Sequence, residues 1–145
     1  EEFRARLPAF ESFFGPQNRL LLGATLAGTK ILHEIGIEAV RAKSQRQTAL
    51  LIERADHHGL TVTAPRDPAQ RGGTVAILPP EHGYEVCQVL LEEDIVVDFR
   101  PHAGIRVAPH FFTTDDECCA AVDRMAEVVE TRAFEKFVGA EKRPG

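Results

Sequence analysis

A chain of 145 residues is long enough for one domain with a buried core. Its net charge of −5, with basic and acidic residues interspersed, argues against a nucleic-acid-binding surface, and no apolar run approaches the roughly 20 residues that span a bilayer. The three cysteines, Cys87, Cys118 and Cys119, follow neither a disulfide framework nor a zinc spacing, so we expect free thiols in a reducing cytoplasm and no metal site.

The first part of the chain is predicted to be helical after a short connector. Residues 1–17 mix charges with several phenylalanines and end near Gly15-Pro16, which predicts a connector that packs against another surface, such as a dimer interface. Residues 18–59 read as a pair of helices, with Asn18 as a candidate N-cap and with Gly36 and Gly59 as helix ends. The run from Gly23 to Lys30 departs from the phosphate-binding loop pattern, because Thr29 separates the second glycine from the lysine.

The hydrophobic period changes after Gly59. Four short strands are predicted, over residues 60–64, 73–78, 95–99 and 105–108, with a helix over 84–92 between the second and the third. Thr114 and Glu117 predict a capping box, and the helix that follows is expected to bury Cys119, Val122, Met125 and Val129. Residues 60–131 are therefore predicted to form the small domain and residues 132–145 a tail. The fold class is α+β: a two-layer domain with a mainly antiparallel sheet of about four strands covered by helices, preceded by the helical pair.

Arg106 is the strongest candidate for a functional side chain. It lies between Ile105 and Val107, so alternation along a strand places it on the face opposite these apolar neighbours. A guanidinium on a rigid element suits bidentate binding of a carboxylate or phosphate. The alternative is a surface or salt-bridged arginine, for example one paired with Asp98 across the bend.

Three further residues are candidates for the same site. His102 and His110 bracket Arg106 in sequence, and Arg71 precedes Gly72-Gly73 and the second strand. Each also has an ordinary interpretation, as a loop histidine or as part of a structural turn. The histidines show no i,i+4 metal pair.

The run Arg100-Pro101-His102-Ala103-Gly104-Ile105-Arg106-Val107-Ala108-Pro109 resembles the C-terminal signature of kynureninases and kynureninase-like members of the class V aminotransferase group. Residues 64–73 and 36–44 are similar to a loop and a helix of the same family, so the resemblance covers nearly the whole chain. These are fold-type-I enzymes that depend on pyridoxal 5'-phosphate (PLP).

The resemblance implies that Arg106 binds the α-carboxylate of an amino-acid substrate through a bidentate pair. It also implies a homodimer in which Gly15-Pro16-Gln17-Asn18 reaches the active site of the neighbouring subunit. Pro16 stands where the family usually has threonine, and His110-Phe111 follows Pro109 where kynureninases usually have Leu-Tyr. The substrate side chain and the reaction, whether hydrolysis, transamination, desulfuration or epimerisation, stay open.

PLP chemistry needs a lysine for the Schiff base. None of Lys30, Lys43, Lys136 and Lys142 matches the family's cofactor lysine, which in the family lies N-terminal to the region present here. We therefore expect no catalytic residue in this chain, and a fragment that holds no cofactor and is inactive without an N-terminal PLP-binding domain of the same protein. The alternative hypothesis is a freestanding α+β module that binds small molecules or regulates a partner, with Arg106 as an anion anchor.

Overall fold

The computed structural model describes residues 19–139, and the side chains from residue 23 onward. The chain divides into two compact units, Glu1–Val40 and Arg41–Gly145. The helices are α1 (Arg19–Ile35), α2 (Ile37–His57), α3 (Gly83–Glu92) and α4 (Asp115–Glu130), followed by a short 3-10 helix over Ala133–Phe137. The strands are β1 (Thr61–Val62), β2 (Val75–Leu78), β3 (Asp98–Arg100) and β4 (Gly104–Val107).

The helical pair predicted at the start is present. Gly36 separates α1 from α2 with a φ of 88°, a left-handed conformation that glycine adopts without steric cost. Gly59, at φ 68°, follows the end of α2, and the amide of Leu60 donates to the carbonyl of Ala55. This arrangement satisfies a carbonyl that the helix end leaves without an intrahelical partner.

The four strands form one sheet in the order β1-β2-β4-β3, with every pairing antiparallel. The central pairing aligns Ala76 with Arg106 and Ile77 with Ile105, and β3 aligns Asp98 with Arg106. Helix α3 packs on β3 and β4, and α4 packs on α3. The predicted fold class, an α+β domain with a four-stranded antiparallel sheet covered by helices, is confirmed.

The core lies between the sheet and these helices. Alternation in β2 and β4 turns Val75, Ile77, Ile105 and Val107 into it. The helices contribute the remaining large buried side chains, which are Leu51 and Ile52 from α2, Val86, Val89 and Leu90 from α3, and Val122, Met125 and Val128 from α4. Phe134 of the 3-10 helix is also fully buried, so the core extends past α4.

One sequence expectation about α4 is wrong by one position. Thr114 and Glu117 form the predicted capping box. However, the buried face carries Cys118 and Val128, whereas Cys119 and Val129 are half-buried. Val122 and Met125 are buried as predicted, and the buried face is centred nearer Cys118 and Val128 than Cys119 and Val129. Both sets keep helical spacing with Val122 and Met125, so the sequence pattern does not distinguish them. Packing of α4 against α3 and the 3-10 helix distinguishes them.

No described helix is sufficiently long and apolar to cross a membrane. The domain boundaries placed after residues 17, 59 and 131 stay predictions.

Candidate carboxylate-binding site

Arg106 projects from the face of the sheet opposite the core. Its neighbours Ile105 and Val107 are buried, while the Arg106 side chain is 42% exposed. The paired residues on either side, Ala76 of β2 and Asp98 of β3, share this face because directly opposed residues of antiparallel strands point the same way. The side chains of β4 therefore alternate between the two faces of the sheet, as predicted.

Asp98 pairs with Arg106 through two parallel contacts. Nε of Arg106 donates to Oδ1 at 2.6 Å, and Nη2 donates to Oδ2 at 2.5 Å. These hydrogen bonds lower the pKa of Asp98 below its ordinary value and raise the pKa of Arg106. The ion pair that the sequence left as an alternative thus exists, and both members stay charged at neutral pH.

The ion pair occupies only one edge of the guanidinium. An arginine carries five N–H donors, and a carboxylate that binds Nε and Nη2 leaves the Nη1 hydrogens and one Nη2 hydrogen. Nη1 of Arg106 makes no hydrogen bond to the described residues. This second edge has the spacing for another bidentate carboxylate.

Arg100 adds a second positive charge. Its Nη2 lies 2.9 Å from Oδ2 of Asp98, the same oxygen that accepts from Arg106. The group of Arg100, Asp98 and Arg106 therefore carries two cations and one anion. Its net positive charge favours an anionic ligand.

The two histidines lie at opposite ends of β4. His102, at φ 66°, is in the turn between β3 and β4, whereas His110 lies beyond Val107 and stacks on Phe112 with 4.4 Å between ring centroids. Neither ring forms a hydrogen bond or ion pair with Arg106 in the described part of the chain. Their predicted place in one site with Arg106 stays a prediction.

Arg71 is 5% exposed and holds its own loop together. Its Nη1 donates to the carbonyl of Pro65 at 3.0 Å and to that of Arg66 at 2.6 Å, while its Nε has no partner in the described structure. Arg41 of α2 ties the loop from the other side by donating to the carbonyls of Pro68 and Arg71. These contacts show that Arg71 stabilises the loop, whereas its role in substrate binding stays a prediction.

Two residues of α2 that the sequence did not single out position the segment after β4. Lys43 donates to the carbonyl of Phe111 at 2.8 Å, and Gln47 donates to that of Thr113 at 2.7 Å. Gln47 is almost fully buried. In the sequence, Gln47 could have been recognised as a glutamine on the apolar face of a predicted helix, because a buried amide needs a hydrogen-bond partner.

Three lysines lie in the described part of the chain. Lys43 is engaged by the Phe111 carbonyl, Lys136 is paired with Glu92, and Lys30 lies on the exposed surface of α1. The described residues contain no group of three or more metal-ligating side chains. Lys142 and the loop Gly15-Pro16-Gln17-Asn18 lie outside the described residues.

The domain thus combines an antiparallel sheet, a helical cover and an outward-facing arginine on a central strand. A family model of the kynureninase C-terminal domain matches residues 40–125. The chain belongs to this family, which confirms the resemblance seen in the sequence.

Two kynureninases agree with this assignment, and a solved structure has a similar fold. The chain is 29% identical over 140 residues to a kynureninase of Geobacillus thermodenitrificans (strain NG80-2), covering 93% of this chain and 32% of that protein. It is 30% identical over 125 residues to a kynureninase of Pseudomonas fluorescens, covering 83% and 30%. The apo structure of a cysteine desulfurase from Thermococcus onnurineus NA1 has the same fold, with a TM-score of 0.65, 19% identity, and coverage of 72% of this chain and 30% of that one. The chain spans about a third of the length of these relatives.

Proposed function

We propose that this chain is the substrate-carboxylate-binding domain of a PLP-dependent enzyme that acts on an amino acid. The observation that carries the proposal is the Arg106 guanidinium, which is held rigidly on one edge by Asp98 and has its other edge unpaired among the described residues. Membership of the kynureninase C-terminal domain family supports an amino acid as the ligand class.

In this proposal the chain binds and orients the substrate and supplies no covalent chemistry. PLP, when bound, withdraws electrons from the amino acid's reacting carbon and needs a lysine for attachment. The described lysines do not fit that role, so the cofactor lysine is assigned to an N-terminal domain of the same protein, and the isolated chain is expected to be inactive. Arg106 neutralises the α-carboxylate and fixes its direction relative to that domain. A homodimer and a cytoplasmic location belong to the same proposal.

The test uses the full-length protein encoded by the natural gene. Absorbance in the near-ultraviolet and violet would show bound PLP, and a colourless full-length protein would instead favour the freestanding binding module. Binding of L-alanine is then compared with that of L-alaninamide, which lacks the carboxylate. Arg106→Ala should weaken L-alanine binding by about 1.5–3 kcal/mol, the value of hydrogen bonds to charged groups. This corresponds to roughly 10–150-fold in Kd.

Arg66→Ala is the matched control variant. Arg66 forms a similar bidentate pair with Asp56, with both contacts at 2.7 Å, in a different part of the chain. This variant should leave L-alanine binding unchanged. An unchanged affinity for L-alanine in Arg106→Ala would refute the assignment of the carboxylate site.

A further inference from the structure

Asp98 and Arg106 are directly opposed in the sheet, so their ion pair is a product of strand register. Asp98 pairs with Arg106, and the next pair along the strands is Phe99 with Ile105. Ile105 is fully buried and Phe99 packs against the core. A slip by one residue would turn Phe99 outward and Asp98 into the core, so the burial of Phe99 holds Asp98 beside Arg106.

The edge that Asp98 uses determines what remains for a ligand. An unrestrained arginine samples many rotamers, and ordering it upon binding reduces affinity. Asp98 engages Nε, the nitrogen nearest the chain, together with Nη2. The planar group is thereby held along this edge, and its Nη1 makes no hydrogen bond to the described residues.

We propose that Asp98 is a positioning residue that orients Arg106 for the substrate carboxylate, a role that rests on the proposed function of Arg106. Arg100 supports it by contacting the same Oδ2 oxygen at 2.9 Å, which keeps the group net positive despite the acid within it. Without Arg100, the pair of Asp98 and Arg106 would be neutral and would attract an anion less strongly. Asp98 therefore supplies orientation while Arg100 restores the charge.

The experiment is a double-mutant cycle in the full-length protein with Asp98→Asn, Arg106→Ala and the combination. The asparagine keeps the shape of the side chain and removes its charge. Dissociation constants are measured for L-alanine and L-alaninamide from the change in the absorbance of the bound cofactor. Asp98→Asn should raise the Kd of L-alanine roughly 3–10-fold, the range expected for ordering one long side chain on binding. It should leave the Kd of L-alaninamide unchanged.

The cycle separates positioning from a general effect on structure. In the Arg106→Ala background, Asp98→Asn should have no further effect on L-alanine. Asp56→Asn, which breaks the similar pair with Arg66, should leave both dissociation constants unchanged. Asp98→Glu keeps the charge but moves the guanidinium, so it should cause an intermediate loss for L-alanine only. If Asp98→Asn does not fold, Asp98→Glu replaces it as the test variant.

The outcomes distinguish the two proposals. If Arg106→Ala binds L-alanine normally, the carboxylate site itself is wrong. If Arg106→Ala weakens binding but Asp98→Asn does not, or if Asp98→Asn tightens it, the positioning role of Asp98 is wrong and the carboxylate site stands. An equal loss for the acid and the amide would also overturn the positioning role, because it would show a general structural effect.

Discussion

Gly104 lies where β4 begins, two residues before Arg106, and its replacement tests how closely β4 packs on β2. A Cβ atom at this position would lie 2.4 Å from the carbonyl oxygen of Ile77 and 2.8 Å from the Cα of Leu78. Both are backbone atoms of a paired strand, so neither can move aside alone. The φ of Gly104 is also 100°, which is unfavourable for any residue with a side chain.

The expected cost of Gly104→Ala has two destabilising parts and one compensating part. The left-handed backbone costs about 1–2 kcal/mol and the forced strand displacement about 1–3 kcal/mol. The alanine also restricts the unfolded chain, which returns about 0.4–1 kcal/mol. The free energy of unfolding should therefore fall by about 1–4.6 kcal/mol.

Gly59→Ala is the control because Gly59 also has a positive φ, 68°, but a Cβ atom at that position would meet nothing within 4 Å. It shares the backbone strain and the unfolded-state effect and lacks the collision. The two variants should then differ by about 2 kcal/mol, the middle of the range for forced displacement. In urea titrations of the 145-residue chain followed by circular dichroism, with an m-value of about 1–3 kcal/mol/M, their midpoints should lie about 0.7–2 M apart. Equal midpoints would refute the close approach of β4 to Ile77.

Three further predictions concern the core, the ion pairs and the thiols. Phe134→Ala should lower the free energy of unfolding by about 3–5 kcal/mol, because Phe134 is fully buried. Phe137→Ala, at a partly buried site, should lower it by clearly less, and equal losses in urea titrations would contradict the burial of Phe134. Hydrogen bonds from arginine lower the folded-state pKa values of Glu93, Asp98, Asp115 and Asp123, so the unfolded chain binds more protons in acid. The stability that these ion pairs provide is present above the unfolded carboxyl pKa near 4 and is lost as pH falls through the lowered folded values. Urea midpoints measured from pH 7 to 3 should show this loss of stability, and Asp123→Asn should make the loss smaller. Burial raises the pKa of Cys87 to about 11 and also raises that of Cys118, so the half-buried Cys119 should react first with a thiol reagent. Mass spectrometry of the labelled chain would show the order, and early labelling of Cys87 would contradict its burial.

The sequence determined the class of the fold because its local signals agree with one another. The capping box at Thr114, the glycines that end the helices and the alternation around Arg106 are all properties of short segments, so each can be read without knowledge of its neighbours. Strand ends were less accurate: the segment 95–99 was predicted as a strand, but only Asp98–Arg100 pairs. Pairing depends on where β4 lies, which no local pattern encodes.

Alternation and the family signature made Arg106 a candidate from sequence alone, whereas its environment required the tertiary structure. The register of β3 against β4 places Asp98 opposite Arg106 and Phe99 opposite Ile105, and this register depends on which side chains the core buries. The same reasoning explains why Cys118 rather than Cys119 faces inward, and why Lys43 and Gln47 reach a segment more than 60 residues later in the chain. Residue type and local spacing thus determined that an arginine is presented on a strand. Long-range packing decided which edge of its guanidinium pairs with Asp98 and which edge is unpaired among the described residues.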